Sequence, residues 1–259
     1  MLDSTVHQAT GLMAMAPRSG ARLIAMVSHG DERVELPLLW QLCMALSEFG
    51  YAVTVLDATA CETDTNPGLE QMLNASNWRT LSDEPFWTVI PSALGIQTLC
   101  SDALGHETSL RKLGQIMPRD SVVILYCNAV WLTTLIGHSR AAPLLAVSSM
   151  KTSLMTSYLA LKRLLKKGNL EPSVVNLAED ERAVAASLGE CARNFLGYDV
   201  KPIRIATPSF DNRPNAEMQS LALRMLENAL LLTHVEASNV HAVHSPLHPA
   251  WGSQGIGSH

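Results

Sequence analysis

What most constrains this chain is an alternation of short apolar runs with longer segments of helical period. Ala21–Ser28 (ARLIAMVS) is compact, apolar and followed by polar residues, the signature of a buried strand. Pro37 is expected to open a helix, where its missing N–H costs nothing. That helix carries Leu38, Leu39, Leu42, Cys43, Leu46 and Phe49 on one broad face and ends at Gly50. Further strands are expected at Ala52–Leu56, Phe86–Pro91, Ser121–Cys127, Pro143–Ser148, Ser173–Asn176 and Val200–Ala206. Further helices are expected at His106–Met117, Thr152–Lys167, Glu179–Leu196 and Asn215–Thr233. Near-continuous apolar strands alternating with helices imply a mostly parallel sheet covered on both faces, a three-layer α/β fold.

Composition narrows the class. With 47% hydrophobic and 17% charged residues the chain has ample material for one core, and 259 residues need no disulfide or metal staple. A net charge of −5 argues against nucleic-acid binding by bulk phosphate neutralisation. No apolar run approaches the roughly 20 residues of a membrane helix, and residues 1–20 lack a charged-then-apolar export signal. The expectation is a soluble, cytoplasmic protein. Cys43, Cys61, Cys100, Cys127 and Cys191 form no C-x-x-C pair and read as reduced thiols, with Cys43, Cys127 and Cys191 in apolar stretches as small hydrophobes. Three regions follow: a leader at 1–20, an α/β domain at 21–233 and a flexible tail at 234–259. The tail includes His241, His244, His248 and His259, but Pro246 and Pro249 break any helix that would align them, so a solvated tail is favoured over a metal site.

Ligands of open α/β sheets bind at the C-terminal ends of strands, which directs attention to Ser28-His29-Gly30-Asp31-Glu32-Arg33-Val34-Glu35-Leu36. The strand before this turn, the helix after it (LLWQLCMALSEFGYAVTVLDA) and Asp57 at the end of the next strand resemble the opening of the MinD/ParA group of P-loop ATPases. Thr152–Tyr158 (TSLMTSY) is similar to that group's TSLTDAY helix start, Val174-Val175-Asn176 to its VVN, Asn194–Gly197 to its RFLG and Pro208–Asp211 to its IPxD. The resemblance runs from about Ala21 to Thr233 and implies a P-loop NTPase-like fold of MinD/ParA type, with Asn176 at an adenine-reading position.

The phosphate loop departs from the family pattern. Gly30 stands at the signature lysine, Glu35 at the lysine that reaches the β- and γ-phosphates, and Leu36 at the magnesium-holding Thr. A phosphate cradle needs inward N–H groups and a positive side chain, whereas this turn offers one glycine and three carboxylates, which repel a triphosphate. The family's switch aspartate is absent from Leu125–Ala129 (LYCNA), and Asp57, equivalent to a magnesium-side acid, is kept without its partners. The expectation is a pseudo-ATPase with a degenerate pocket at Gly30, Glu35, Leu36, Asp57 and Asn176, and with no cofactor, metal or catalytic residue.

His7–Met13 (HQATGLM) is similar to the N-terminal DQAxGLR motif of the FlhG (FleN) branch, which controls flagellar number and placement. In that branch the motif engages the GTPase FlhF. Gln8, Ala9, Gly11 and Leu12 match; His7 and Met13 replace the Asp and Arg, so partner binding is implied more strongly than GTPase stimulation. The resemblance implies a regulator of flagellar biosynthesis with an FlhF-like or other assembly partner, a monomer or ATP-independent dimer, recruited to the inner membrane or cell pole through that partner.

Two other readings stand beside it. One is a degenerate MinD-like accessory protein of another envelope machine, such as cellulose secretion or pilus placement. The other is an enzyme with a rebuilt acidic metal site at His29–Glu35, although charged loop residues are expected to be solvated. Lys162, Arg163, Lys166 and Lys167 are expected to complement a helix dipole. The last helix sets Arg224 alone against Glu217 and Glu227, which gives membrane anchoring by it little support.

Overall fold

The computed structural model describes residues 20–74, 87–101, 105–177, 184–206 and 213–232. Seven parallel strands form the sheet: β1 (Ala21–Ser28), β2 (Val53–Asp57), β3 (Thr88–Pro91), β4 (Val122–Asn128), β5 (Leu144–Val147), β6 (Ser173–Asn176) and β7 (Ile203–Arg204). Their order is β3-β2-β4-β1-β5-β6-β7, and an eighth strand, β8 (Leu230–Leu232), runs antiparallel along the first three residues of β1. Helices α1 (Glu32–Glu48), α2 (Leu69–Asn74), α3 (Ala93–Ser101), α4 (His106–Ile116), α5 (Ala129–Ile136), α6 (Lys151–Arg163), α7 (Val184–Leu196) and α8 (Ala216–Glu227) complete the described elements, with a π turn over Leu164–Gly168 extending α6.

Each strand feeds side chains to both faces, as period 2 demands. In β1, Leu23, Ala25 and Val27 join one buried cluster with Leu132, Leu161 and Leu164, while Ile24 and Met26 join another with Leu38, Leu42, Leu221 and Met225. Two cores back to back on one sheet make the expected three-layer α/β fold. The central strands are buried on both faces, and each fully enclosed Leu or Ile contributes about 1.5–3 kcal/mol.

The differences from the sequence reading have local causes. Helix α1 starts five residues before Pro37, which lies inside it. Its first turn is tied down by Val34 and Glu35 N–H groups donating to the Asp31 carbonyl, and the Glu35 side chain folds back onto the preceding loop. The strand expected at Val200–Ala206 shrinks to two residues. The helix expected over Asn215–Thr233 stops at Glu227, and Leu230–Leu232 pairs with Ala21, Arg22 and Leu23 instead. A short apolar run is ambiguous between helix and strand, and the first residues of β1, which β5 leaves unpaired by meeting that strand only at Met26, decide it. Helices α2, α3 and α5 were not expected. Asn128 starts α5 by accepting from the Val130 and Trp131 N–H groups at 2.9 and 3.1 Å, a standard N-cap. Phe86, Pro208–Asp211, the 1–19 leader and the tail from 233 lie outside the described residues.

Cys43 and Cys127 are buried as expected, but Cys191 is only half-buried; all five thiols are free. A buried carboxylate, Glu62, joins α2 to α3. Its oxygens accept from the N–H groups of Leu94 (2.8 Å), Gly95 (2.9 Å) and Glu70 (3.3 Å), so one anion caps two helix N-termini.

Candidate functional site

The C-terminal edge of β1 is where the fold presents its most unusual chemistry. The chain leaves β1 at Ser28, turns through Gly30 at φ +93° and enters α1 at Glu32. A positive φ there suits glycine. Asp31 and Glu35 are 4% and 0% exposed, so the expectation that these loop carboxylates are solvated is overturned.

Burying a carboxylate is costly unless donors surround it, and Glu35 has them. Its Oε1 accepts from the His29 N–H at 3.1 Å and the Asp31 N–H at 3.0 Å, and Oε2 accepts from the Tyr126 hydroxyl. His29 Nε2 lies 3.3 Å from the same Oε1 and 2.8 Å from the Ala146 carbonyl oxygen. A carbonyl only accepts, so Nε2 carries a proton. On the other side of the ring, Nδ1 meets the Thr156 hydroxyl at 2.9 Å. The loop is thereby tied to α1, β4, β5 and α6 at once. Burial, then the neighbouring Glu35, push the Tyr126 phenol well above its ordinary range.

Asp31 belongs to the same cluster. Its Oδ2 accepts from the Ser148 hydroxyl at 2.6 Å, while buried Oδ1 has no protein partner. Ser148 in turn donates its N–H to Ser153 Oγ at 3.1 Å, which ties the end of β5 to the first turn of α6.

The other expected pocket residues are placed as follows. Leu36 is partly exposed, at 38%, on the first turns of α1. Asp57 ends β2 in register with Tyr126, beside the cluster, and its Oδ1 accepts from the N–H and hydroxyl of Thr59. It therefore stabilises its own turn. Asn176 is buried at the end of β6, two strand spacings, about 10 Å, from β1. Gly30 and Glu35 thus come together, while Asp57 and Asn176 stand at the same sheet edge on strands two spacings from β1, on opposite sides of it. Gln8, Ala9, Gly11 and Leu12 lie outside the described residues.

Sequence reasoning missed Tyr126, Ser148 and Thr156. Tyr126 was noticeable as a polar-tipped residue within an otherwise apolar strand, and Thr156 as part of the TSLMTSY segment. Neither signal identifies Glu35 as the partner.

Two of the N–H groups that would face an anion already face Glu35 Oε1. A phosphate charge placed about 4 Å from that carboxylate meets roughly 4 kcal/mol of repulsion per unit charge at the effective dielectric of a protein site. The metal alternative meets a similar obstacle, because His29 and Glu35 are engaged with each other and with the protein. Among the described residues, no group of three or more His, Cys, Asp or Glu side chains is arranged to hold a metal ion.

Comparison with solved structures bears on the fold. Cobyrinic acid a,c-diamide synthase from Mycobacterium smegmatis, with bound ATP analogue and magnesium, matches at a TM-score of 0.55 and 14% identity over 83% of this chain and 100% of that one. A plasmid partition protein from Borrelia burgdorferi matches at 0.52 and 14% identity over 81% and 97%. A ParA family ATPase from Chlorobium tepidum matches at 0.51 and 13% over 79% and 98%. The chain shares its fold with these proteins, a ParA family ATPase among them. No protein-family model and no curated protein sequence matches the chain. Identities this low carry the architecture and leave the chemistry to the residues of the loop.

Proposed function

We infer that this chain is a MinD/ParA-type protein without nucleotide turnover, acting as a protein–protein regulator. The observation that carries the reading is Glu35. In place of a lysine aimed at phosphates, the first turn of α1 supplies a buried carboxylate that accepts the loop's own N–H groups. The cradle is filled from within. Leu36 adds no hydroxyl for magnesium, and Asn128 at the end of β4 caps a helix where the switch aspartate would stand.

In the active family, ATP sandwiched between subunits drives dimerisation. A ligand shifts an equilibrium only through its different affinities for the two states. A loop that rejects the triphosphate therefore leaves the oligomeric state indifferent to it. Gel filtration of the full chain with and without Mg-ATP should give one elution volume, and an ATP-dependent dimer would sink the proposal.

The assignment to flagellar number and placement rests on Gln8, Ala9, Gly11 and Leu12, which resemble the FlhG partner motif. Its test is a deletion of residues 1–15. Loss of capture of an FlhF-type GTPase supports the flagellar branch, and an unchanged flagellar phenotype turns the reading to another envelope machine.

A further inference from the structure

The solvent face of α6 and the π turn that extends it has a composition that the folded domain does not account for. Lys151, Thr152, Met155, Leu159, Lys162 and Arg163 are its exposed residues, and Lys166 and Lys167 follow in the π turn. At about 100° per residue, those from 151 to 163 fall within an arc of roughly 120°. Residues 151–168 contain five cations and no acid. None of the five makes an ion pair with a described residue.

Between these cations lie apolar side chains with little cover. Met155 is 66% exposed and Leu159 56%, and the neighbouring helix α7, which packs against α6, adds Phe195 at 73% exposed, outside the row of cations. Complementing the helix dipole explains cations in the last turn only. It does not explain Lys151, which stands at the unfavourable N-terminal end, or the three apolar groups.

We propose that this face of α6, with Phe195, is a contact surface for an anionic lipid bilayer. The acyl–headgroup boundary offers both things the face requires: negative charge for the lysines and Arg163, and an apolar layer for Met155, Leu159 and Phe195. A nucleic-acid backbone would satisfy the cations but leave the apolar centre unused. The net charge of −5 makes such a patch directional, since the molecule as a whole is repelled by the same membrane. The contact is direct and peripheral. Among the described residues no helix is long and apolar enough to span a bilayer.

The test is flotation of the full chain with phosphatidylglycerol–phosphatidylcholine vesicles and with phosphatidylcholine vesicles alone. Wild type should float with the anionic vesicles only, and should be released as salt rises. Neutralising Lys162, Arg163, Lys166 and Lys167 to Gln should weaken binding by on the order of a hundredfold or more, at about fivefold per cation. Met155→Ser, Leu159→Ser and Phe195→Ser combined should weaken it at least about tenfold through lost apolar burial. All these positions are exposed, so unchanged thermal melts will show that both variants are folded. The proposal is overturned if wild type ignores anionic vesicles, if either variant binds as tightly as wild type, or if duplex DNA or an acidic polypeptide is bound where vesicles are not.

Discussion

Replacing Glu35 by Ala tests whether its carboxylate is an anion seated in the cradle. The substitution strands three donors: the part-buried N–H of His29 and the buried N–H of Asp31 and hydroxyl of Tyr126. Each unsatisfied donor costs about 1–3 kcal/mol, less whatever water recovers, so a total near 4 kcal/mol is expected. For a domain of this size 1 kcal/mol moves Tm by about 2–4 °C, giving a drop of roughly 8–16 °C. Glu35→Gln keeps one accepting oxygen and should lose only about 1–2 kcal/mol. The decisive part is rescue. Once the carboxylate is gone, the freed N–H groups should donate to an external anion, and inorganic phosphate at ten times its Kd should return about 1.4 kcal/mol, roughly 3–6 °C by the same conversion. Scanning fluorimetry across a phosphate series, with wild type in parallel and ionic strength held constant by chloride, reads this directly. An Ala variant within 1 kcal/mol of wild type, or a wild type stabilised by phosphate as much as the variant, would refute the reasoning.

Other consequences follow from the same structure. Glu62→Ala removes the acceptor for the N–H groups of Leu94, Gly95 and Glu70; a loss of about 3 kcal/mol in urea unfolding is expected, against less than half of that for Glu62→Gln. Tyr126 has its proton held more firmly in the folded state than at the unfolded value near 10, by burial and then by Glu35. That stability is fully present below pH 10 and lost as pH rises toward the folded value, so Tyr126→Phe should flatten the alkaline decline of Tm between pH 10 and 12. Burial likewise pushes the Cys43 thiol up to about 12. A thiol reagent at pH 8 should modify exposed Cys61 at once and Cys43 only when the chain unfolds.

How much of this was legible beforehand depends on the range of the interaction concerned. The β1 run of ARLIAMVS is long, apolar and bounded, and it emerged with the expected limits. Asp57 and the loop after Ser28 fell at the sheet's ligand-binding edge because strand order and chain direction place them there. Glu35 shows where such reading stops. Its charge was visible, but its burial depends on Tyr126, 91 residues away, and on backbone N–H groups that no sequence pattern displays. A carboxylate in a turn is ordinarily solvated, and only the closed hydrogen-bond shell reverses that. Leu230–Leu232 illustrates the same limit, since a run of leucines continues a helix as readily as it pairs with Ala21–Leu23. Glu62 is a third case, its donors lying on two helices that begin after it.

The most direct test of the central claim is calorimetric titration of the full-length protein with ATP and with ADP, each in the presence of magnesium. With Glu35 seated on the His29 and Asp31 N–H groups, neither nucleotide should bind, and no saturable heat should appear up to about millimolar ligand, an affinity worth only some 4 kcal/mol. Micromolar binding of either nucleotide would mean that the loop opens and releases its carboxylate, and the account of Glu35 as an internal occupant of the cradle would be wrong.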